Sequence, residues 1–312
     1  MTTFADGVNQ WGGVPVGVNP LFNKIFAMPN APYKQGRAWF VDPAYGGNGN
    51  GASPGGAFNT MAQAFSVLQS GDIIYVLGDV REQLVTPVQV FDVTVIGCGN
   101  RPRNADAVPA GGGYSAITWR APASGGTAAQ ATVRVLQQGW TFYNVLFNMI
   151  DANAAGIEIV RNAGAGDLER DASHTSVLGC RFAGAGVGIR SGATSFTENT
   201  TNCLIQGNTF LSNTYALRQT AGFGGLNWQI KDNDFITNTN DIVGPFSACK
   251  IIGNRMSLAP TGSIILTGGA GNMVHYNALP GTYAAGTLYA PGTNDNWNGN
   301  AASTGFTAAV PT

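Results

Sequence analysis

The feature that most constrains this 312-residue chain is an asparagine that returns at a nearly fixed interval. Asn208, Asn233, Asn254 and Asn277 are separated by 25, 21 and 23 residues. Two positions after each stand Phe210, Phe235, Met256 and Leu279; three before stand Ile205, Ile230, Ile251 and Val274. Five before stand Cys203, Trp228, Cys249 and Asn272. The columns between these are mixed or polar: Leu204, Gln229, Lys250 and Met273, then Gln206, Lys231, Ile252 and His275. Side chains on a strand alternate faces, so the columns five and three before the Asn share one face. The Asn and the residue two beyond it share a face after a bend. Such a unit predicts one turn of a parallel β-helix, with each coil stacked on the last at about 4.8 Å. A corner Asn that points inward both donates and accepts, which satisfies a polar group otherwise costly to bury.

Weaker copies lie upstream. Val177, Cys180 and Phe182 fit the columns with Cys180 in the Asn position, and Trp140, Phe142, Val145 and Phe147 fit again. The interval from Val145 to Cys180 is 35 residues, so this coil carries an insertion, which holds the most charged segment, Asp167 to Asp171. Second strands of the coils are expected at Ile157–Ile159, Val187–Ile189, Ala216–Arg218, Asp241–Val243 and Ser263–Leu266. Cys203 and Cys249 share a column two coils apart. That is about 10 Å, beyond the roughly 7 Å Cα limit for a disulfide. With no CxxC pair and two distant His residues, the cysteines read as free core thiols, and neither a metal nor a cofactor is expected.

Composition agrees. The chain has 44 Gly, and only 11% of its residues are charged, with a formal net charge of −1. Four Lys and four Glu exclude a coiled coil, and neutrality removes the electrostatic footprint of a nucleic-acid binder. The charge-free run from Met256 to Asn294 is broken by Pro260, Gly262, Gly268, Gly269, Gly271 and Pro280, so no membrane helix is expected there. The first residues have no basic region and no apolar core, so no signal peptide is expected.

Three segments are expected. Residues 1–37 form an extended arm whose apolar residues, Phe4, Trp11, Val14, Leu21, Phe22 and Phe26 among them, need a surface to cover. Residues 38–282 form the β-helix, opened by a short amphipathic helix over Thr60–Leu68, where Met61, Ala64, Phe65 and Leu68 share a face. Gly71 and Asp72 end that helix, and Ile73–Leu77 is a strand. Residues 283–312 are expected to be a polar tail.

The opening of the body carries a resemblance. Phe40-Val41-Asp42-Pro43, a Gly/Asn loop, Ser53-Pro54, Phe58-Asn59-Thr60, a helix, Gly71-Asp72-Ile73-Ile74-Tyr75-Val76, Gly78 and Glu82 together resemble right-handed parallel β-helix proteins of the pectin lyase-like superfamily. The resemblance covers about residues 38–280. It implies an all-β, single solenoid whose short helix caps the first coil and blocks an open sheet edge. The arm, with Phe4-Ala5-Asp6-Gly7-Val8 and Gly12-Gly13-Val14-Pro15-Val16-Gly17, resembles the leader of phage-encoded β-helix virion proteins. That implies a homotrimer, synthesis in the host cytoplasm, and partners among virion proteins such as a major capsid protein or tail component.

The superfold hosts lyases, hydrolases, binders and structural spikes, so its function must be argued from sites. Hydrolysis of a glycoside needs paired carboxylates about 5–9.5 Å apart. Asn238-Thr239-Asn240-Asp241 is not the polygalacturonase-like motif, and the Gly-His-Gly that accompanies it is missing, since His174 lies in Ser-His-Thr and His275 in Val-His-Tyr. Asp232-Asn233-Asp234 offers carboxylates to a Ca²⁺, or turn-forming Asp beside a corner Asn. The segment Asp167, Glu169, Arg170 and Asp171 reads as a loop that reaches a sugar or a neighbouring subunit, or as a solvated loop. Trp228 falls in an inward column; Tyr143 and Tyr276 fall outward, where an aromatic stacks on a sugar or fills a subunit interface. Gly184-Ala185-Gly186-Val187-Gly188 lacks a βαβ context for nucleotide. The leading expectation is a non-enzymatic phage virion protein, a capsid decoration or surface spike held by its arm. The alternative is a tailspike-like receptor-binding protein or depolymerase acting on bacterial surface polysaccharide.

Overall fold

A computed structural model of the chain describes residues 36–47, 49–99, 117–121, 130–149, 154–162, 170–184, 186–191, 200–220, 225–257, 261–281, 284–302, 305–307 and 311. The arm lies outside the described residues apart from Gly36 and Arg37.

The solenoid is a right-handed parallel β-helix. Three parallel sheets of ten, eight and seven strands run along it. Each coil contributes a short strand to the ten-stranded sheet, crosses the Asn corner into the seven-stranded sheet, and then enters the eight-stranded sheet. Leu204–Gln206, Thr209–Leu211 and Tyr215–Gln219 form one such coil. The register stacks like on like. Phe142, Val177, Ile205, Ile230, Ile251, Val274 and Trp297 form one inward column of the ten-stranded sheet. Phe147, Phe182, Phe210 and Phe235 stack in the seven-stranded sheet, with neighbouring ring centroids 5.0–5.1 Å apart. That separation is close to the strand spacing, so the rings stack because their strands do. Gly156 and Gly188 leave room for them: a Cβ at either would lie 2.8 Å from the Phe182 or Phe210 ring.

The Asn corners bond as a continuous ladder. The backbone N and Nδ2 of Asn208 both donate to Asn233 Oδ1, at 2.9 and 3.0 Å. Asn233 repeats this to Asn254, Asn254 to Asn277, and Asn277 to Asn300, all at 2.9–3.0 Å. Nδ2 of Asn233 also donates to the Ile205 carbonyl, in the preceding coil. Cys180 N donates to Asn208 Oδ1 at 2.8 Å, and its thiol donates to the Phe142 carbonyl at 3.5 Å, so a Cys starts the ladder where no side-chain acceptor for a preceding coil is used. One residue before each corner the backbone turns left-handed, at Asn144, Gly179, Gly207, Asp232, Gly253, Tyr276 and Gly299. Gly, Asn and Asp tolerate that conformation, which is why six of these seven positions hold one of them.

The capping helix spans Met61–Val67. Thr60 and Gln63 form a capping box, and the Glu82 carboxylate accepts from Met61 N and Ala62 N at 2.8 and 3.0 Å. Its buried face, Met61, Ala64 and Phe65, joins the interior column, with Phe65 5.5 Å from Trp140. Asp72 fastens the first strand by accepting from Arg37 N and Trp39 Nε1.

The polar tail expected at 283–312 is corrected over much of its length. Tyr289–Ala290 and Asn296–Asn298 pair in parallel with the preceding coil, and Asn300 extends the ladder. The β-helix therefore runs on past residue 282. An antiparallel hairpin, Asn300–Ala302 with Gly305–Thr307, follows. All four cysteines are free and buried. Burial pushes the thiols of Cys98, Cys180 and Cys249 up to about 12, and that of Cys203 further. Among the described residues no helix is long and apolar enough to cross a membrane.

Candidate functional site

A charged row crosses the outer face of the eight-stranded sheet. The register aligns Val85, Arg134, Glu158, Arg190, Arg218 and Val243 on successive coils. Glu158 is the centre of the row and is fully buried. Its Oε2 accepts from Arg134 Nε at 2.5 Å, and its Oε1 from Arg190 Nε and Nη2, both at 2.9 Å. One carboxylate between two guanidiniums is the arrangement that tolerates burial of a charge, because every oxygen has a charge-assisted donor. Arg218 stands next in the row, exposed, with its guanidinium 4.4 Å from the centroid of the Tyr215 ring. Three guanidiniums face one carboxylate, so the row attracts anions. Glu158 already accepts on both oxygens and is not disposed as a free base.

The residues that the sequence suggested fall elsewhere. Arg161–Asn162 and Arg170–Asp171 form the antiparallel base of the insertion. Asp167 and Glu169 lie outside the described residues, and Arg170 is placed only by its backbone. Asp171 is engaged locally: its Oδ1 accepts from Ser173 N at 2.9 Å and its Oδ2 from Gln138 Nε2 at 3.1 Å. Arg161 Nε is 3.7 Å from the same Oδ2. Asp232 and Asp234 do not meet as a cation site would require. Asp232 is an exposed corner residue that accepts from Gln206 Nε2, whereas Asp234 pairs with Arg255 at 3.1 Å on the seven-stranded sheet. Trp228 is buried and donates to the Thr200 carbonyl. The row of Glu158 was missed because its members are 24 and 32 residues apart in sequence. The one legible sign was a Glu inside an otherwise apolar strand, Ile157-Glu158-Ile159.

Another carboxylate sits inside the solenoid. Asp241 is fully buried; its Oδ1 accepts from Asn238 Nδ2 and its Oδ2 from Ser263 Oγ, at 3.0 and 2.9 Å. Burial pushes its carboxyl up to about 7, against the lowering effect of those two donors.

No family model matches the sequence, and no curated protein does either. Solved structures do match. The pectin methylesterase of Aspergillus niger is similar at 14% identity, covering 88% of this chain and 87% of that one, with a TM-score of 0.47. A pectate lyase, Pel9A, is similar at 13% identity, covering 89% and 77%, with a TM-score of 0.41. The Dettilon tailspike protein is similar at 14% identity, covering 85% and 61%, with a TM-score of 0.30. At such identities the likeness concerns the fold alone, and the chemistry of this β-helix rests on its own residues.

Proposed function

We propose that this β-helix is a non-catalytic surface protein of a phage particle, a capsid decoration or spike held through residues 1–37. The observation that carries the non-catalytic part is Glu158, whose two oxygens are taken up by Arg134 and Arg190. A general acid or base must exchange a proton with substrate, and this carboxylate is instead a structural counter-ion. Support for the anchor is the composition of the arm, whose apolar residues stand among Gly, Pro and Asn and suit an extended segment laid on a partner. A homotrimer fits the partly apolar outer columns, where Leu204 and Ile252 are half-buried and Met273 is exposed.

The test uses particles that lack the protein. The full chain, added back, joins them, whereas a chain beginning at residue 38 stays in the supernatant while keeping its circular dichroism. Incorporation of the shortened chain would overturn the anchoring. A second reading, a tailspike-like protein acting on bacterial surface polysaccharide, is favoured by exposed Arg218 beside Tyr215. It requires cleavage of capsule or lipopolysaccharide by the purified protein, and loss of that cleavage when Asp167, Glu169 and Asp171 are replaced by Ala.

A further inference from the structure

Four of the six large hydrophobic side chains that stand exposed among the described residues lie at the N-terminal end of the solenoid. They are Val67, at the end of the capping helix, and Val85, Val88 and Phe91, which follow at intervals of three along the first coil. Val85 and Val88 are 51% and 49% exposed, so the described fold leaves them to water. Backbone contacts draw the two segments together. Phe91 N donates to Ser70 Oγ at 3.0 Å, three residues after Val67, and Gly71 N donates to the Phe91 carbonyl at 2.9 Å. Neither Val67–Gly71 nor Val85–Phe91 holds a charged residue. Among the described residues Leu84–Val85 is also the edge strand of the eight-stranded sheet. An open sheet edge beside an apolar patch is a place for unwanted association, and native proteins cover it.

What can cover this patch is set by where the chain enters the body. Gly36 is pressed on the same turn, where a Cβ would overlap the Gly71 carbonyl. Arg37 N donates to Asp72 Oδ1 at 2.7 Å, and the Arg37 carbonyl accepts from Ile73 N at 2.9 Å. The 35 residues that precede Gly36 therefore start from the turn that holds Phe91. Within them Leu21, Phe22, Ile25, Phe26 and Met28 place five large apolar side chains in eight residues, between Pro20 and Pro29. The link from 29 to 35 is seven residues with Pro29 and Pro32. At about 3.1 Å per residue such a link reaches about 20 Å. The six steps from Val85 to Phe91 span at most about 22 Å, so the run can lie along the whole patch. Its one charge is Lys24, and Asp92, next to Phe91, is exposed. A segment on so short a tether meets its site at an effective concentration on the order of millimolar. The same run on a second copy meets it only at the bulk protein concentration.

We propose that residues 21–28 fold back on the first coil of their own chain, with Leu21, Phe22, Ile25 and Phe26 laid against the patch of Val67, Val85, Val88 and Phe91. The arm then has two parts. The proximal run is a strap that covers the N-terminal rim, and the apolar residues from Phe4 to Val16 are the part left for a partner. The strap belongs to the free chain and does not depend on the function proposed above.

The test uses the purified full chain, whose four native cysteines are buried. Val88→Cys is combined in turn with Leu21→Cys, Phe22→Cys, Ile25→Cys and Phe26→Cys, and each double variant is oxidised with copper phenanthroline. At least one pair should close within a single chain, read on a non-reducing gel and by intact mass. Thr261→Cys, on an exposed turn of a later coil, should close with none of the four. Trypsin gives a second readout. Lys24 should be cut at least tenfold more slowly than Lys34 in the link. Val88→Asp with Phe91→Asp should raise the Lys24 rate tenfold or more, and leave the Lys34 rate and the circular dichroism unchanged. Phe22→Ser with Phe26→Ser should do the same without touching the body. The proposal is overturned if Lys24 and Lys34 are cut equally fast in the parent, if both double substitutions leave the Lys24 rate unchanged, or if no pair closes within one chain. Closure between chains alone overturns it as well, since the patch would then take the arm of a second copy.

Discussion

The interior corner and the outer face solve the burial of a polar group in opposite ways. Inside, Asn233 accepts from the coil before it and donates to the coil after it. An amide carries both roles, so the same residue repeats coil after coil. Outside, Glu158 only accepts, so its neighbours in register must be donors of opposite charge, Arg134 and Arg190. The same rule decides where carboxylates appear inside. Asp295 takes both donors of Asn272 on its Oδ1 and Gly292 N on its Oδ2. Asp241 likewise receives from Asn238, which itself accepts from Asn213. A carboxylate ends an amide ladder because it has nothing to pass on.

This contrast can be broken most strongly at the ladder. Asn233→Ala takes the acceptor from Asn208 N, removes one of the two bonds of Asn208 Nδ2, which keeps the Val177 carbonyl, and removes the side-chain donor to the Ile205 carbonyl. At about 1–3 kcal/mol for each buried unsatisfied group, we expect a loss of about 4 kcal/mol in denaturant unfolding. Asp241→Asn should act in the other direction. With a native pKa of about 7 against an unfolded value of about 3.9, the native state binds the proton more tightly. The wild type is therefore most favoured at low pH, loses stability as pH rises from about 4 to about 7, and is flat above. Asp241→Asn removes that slope, and above pH 7 it should be more stable by about 4 kcal/mol. Unfolding at pH 5 and pH 8 checks the sign.

Glu158→Gln should cost about 2 kcal/mol, below the usual figure for breaking a buried pair because Arg134 and Arg190 are partly solvated. The same change opens the outer row to added anions, which should stabilise the variant more than the parent in thermal melts. Gly188→Ala should cost about 1–3 kcal/mol, since its Cβ would lie 2.5 Å from the Ala216 carbonyl oxygen. The smallest effect is expected at Tyr276→Gly, a gain of about 0.5 kcal/mol.

Much of the fold was legible because each coil declares its own inward positions locally. The columns through Ile205, Asn208 and Phe210 could be read without knowing their neighbours. The last coil was missed for a chemical reason. Asp295, Trp297, Gly299 and Asn300 continue the columns, yet Asn, Gly and Thr around them resemble a disordered tail in composition. The capping helix was legible from its apolar spacing, and Glu82 on its N-terminus was not, since that contact joins residues 20 and 21 apart.

By itself the sequence determined the coil. A 23-residue period of apolar columns with an amide at the corner leaves the chain few other ways to bury its hydrophobic face. Only the tertiary structure decided what the outer faces display. Intervals between equivalent residues vary with each insertion, so which charges meet is settled when strands stack in register. Arg134, Glu158 and Arg190 are strangers in sequence and neighbours at a strand spacing. Tyr276 looks like one more outward aromatic until the corner places it in a column of Gly, Asn and Asp and leaves its ring uncovered.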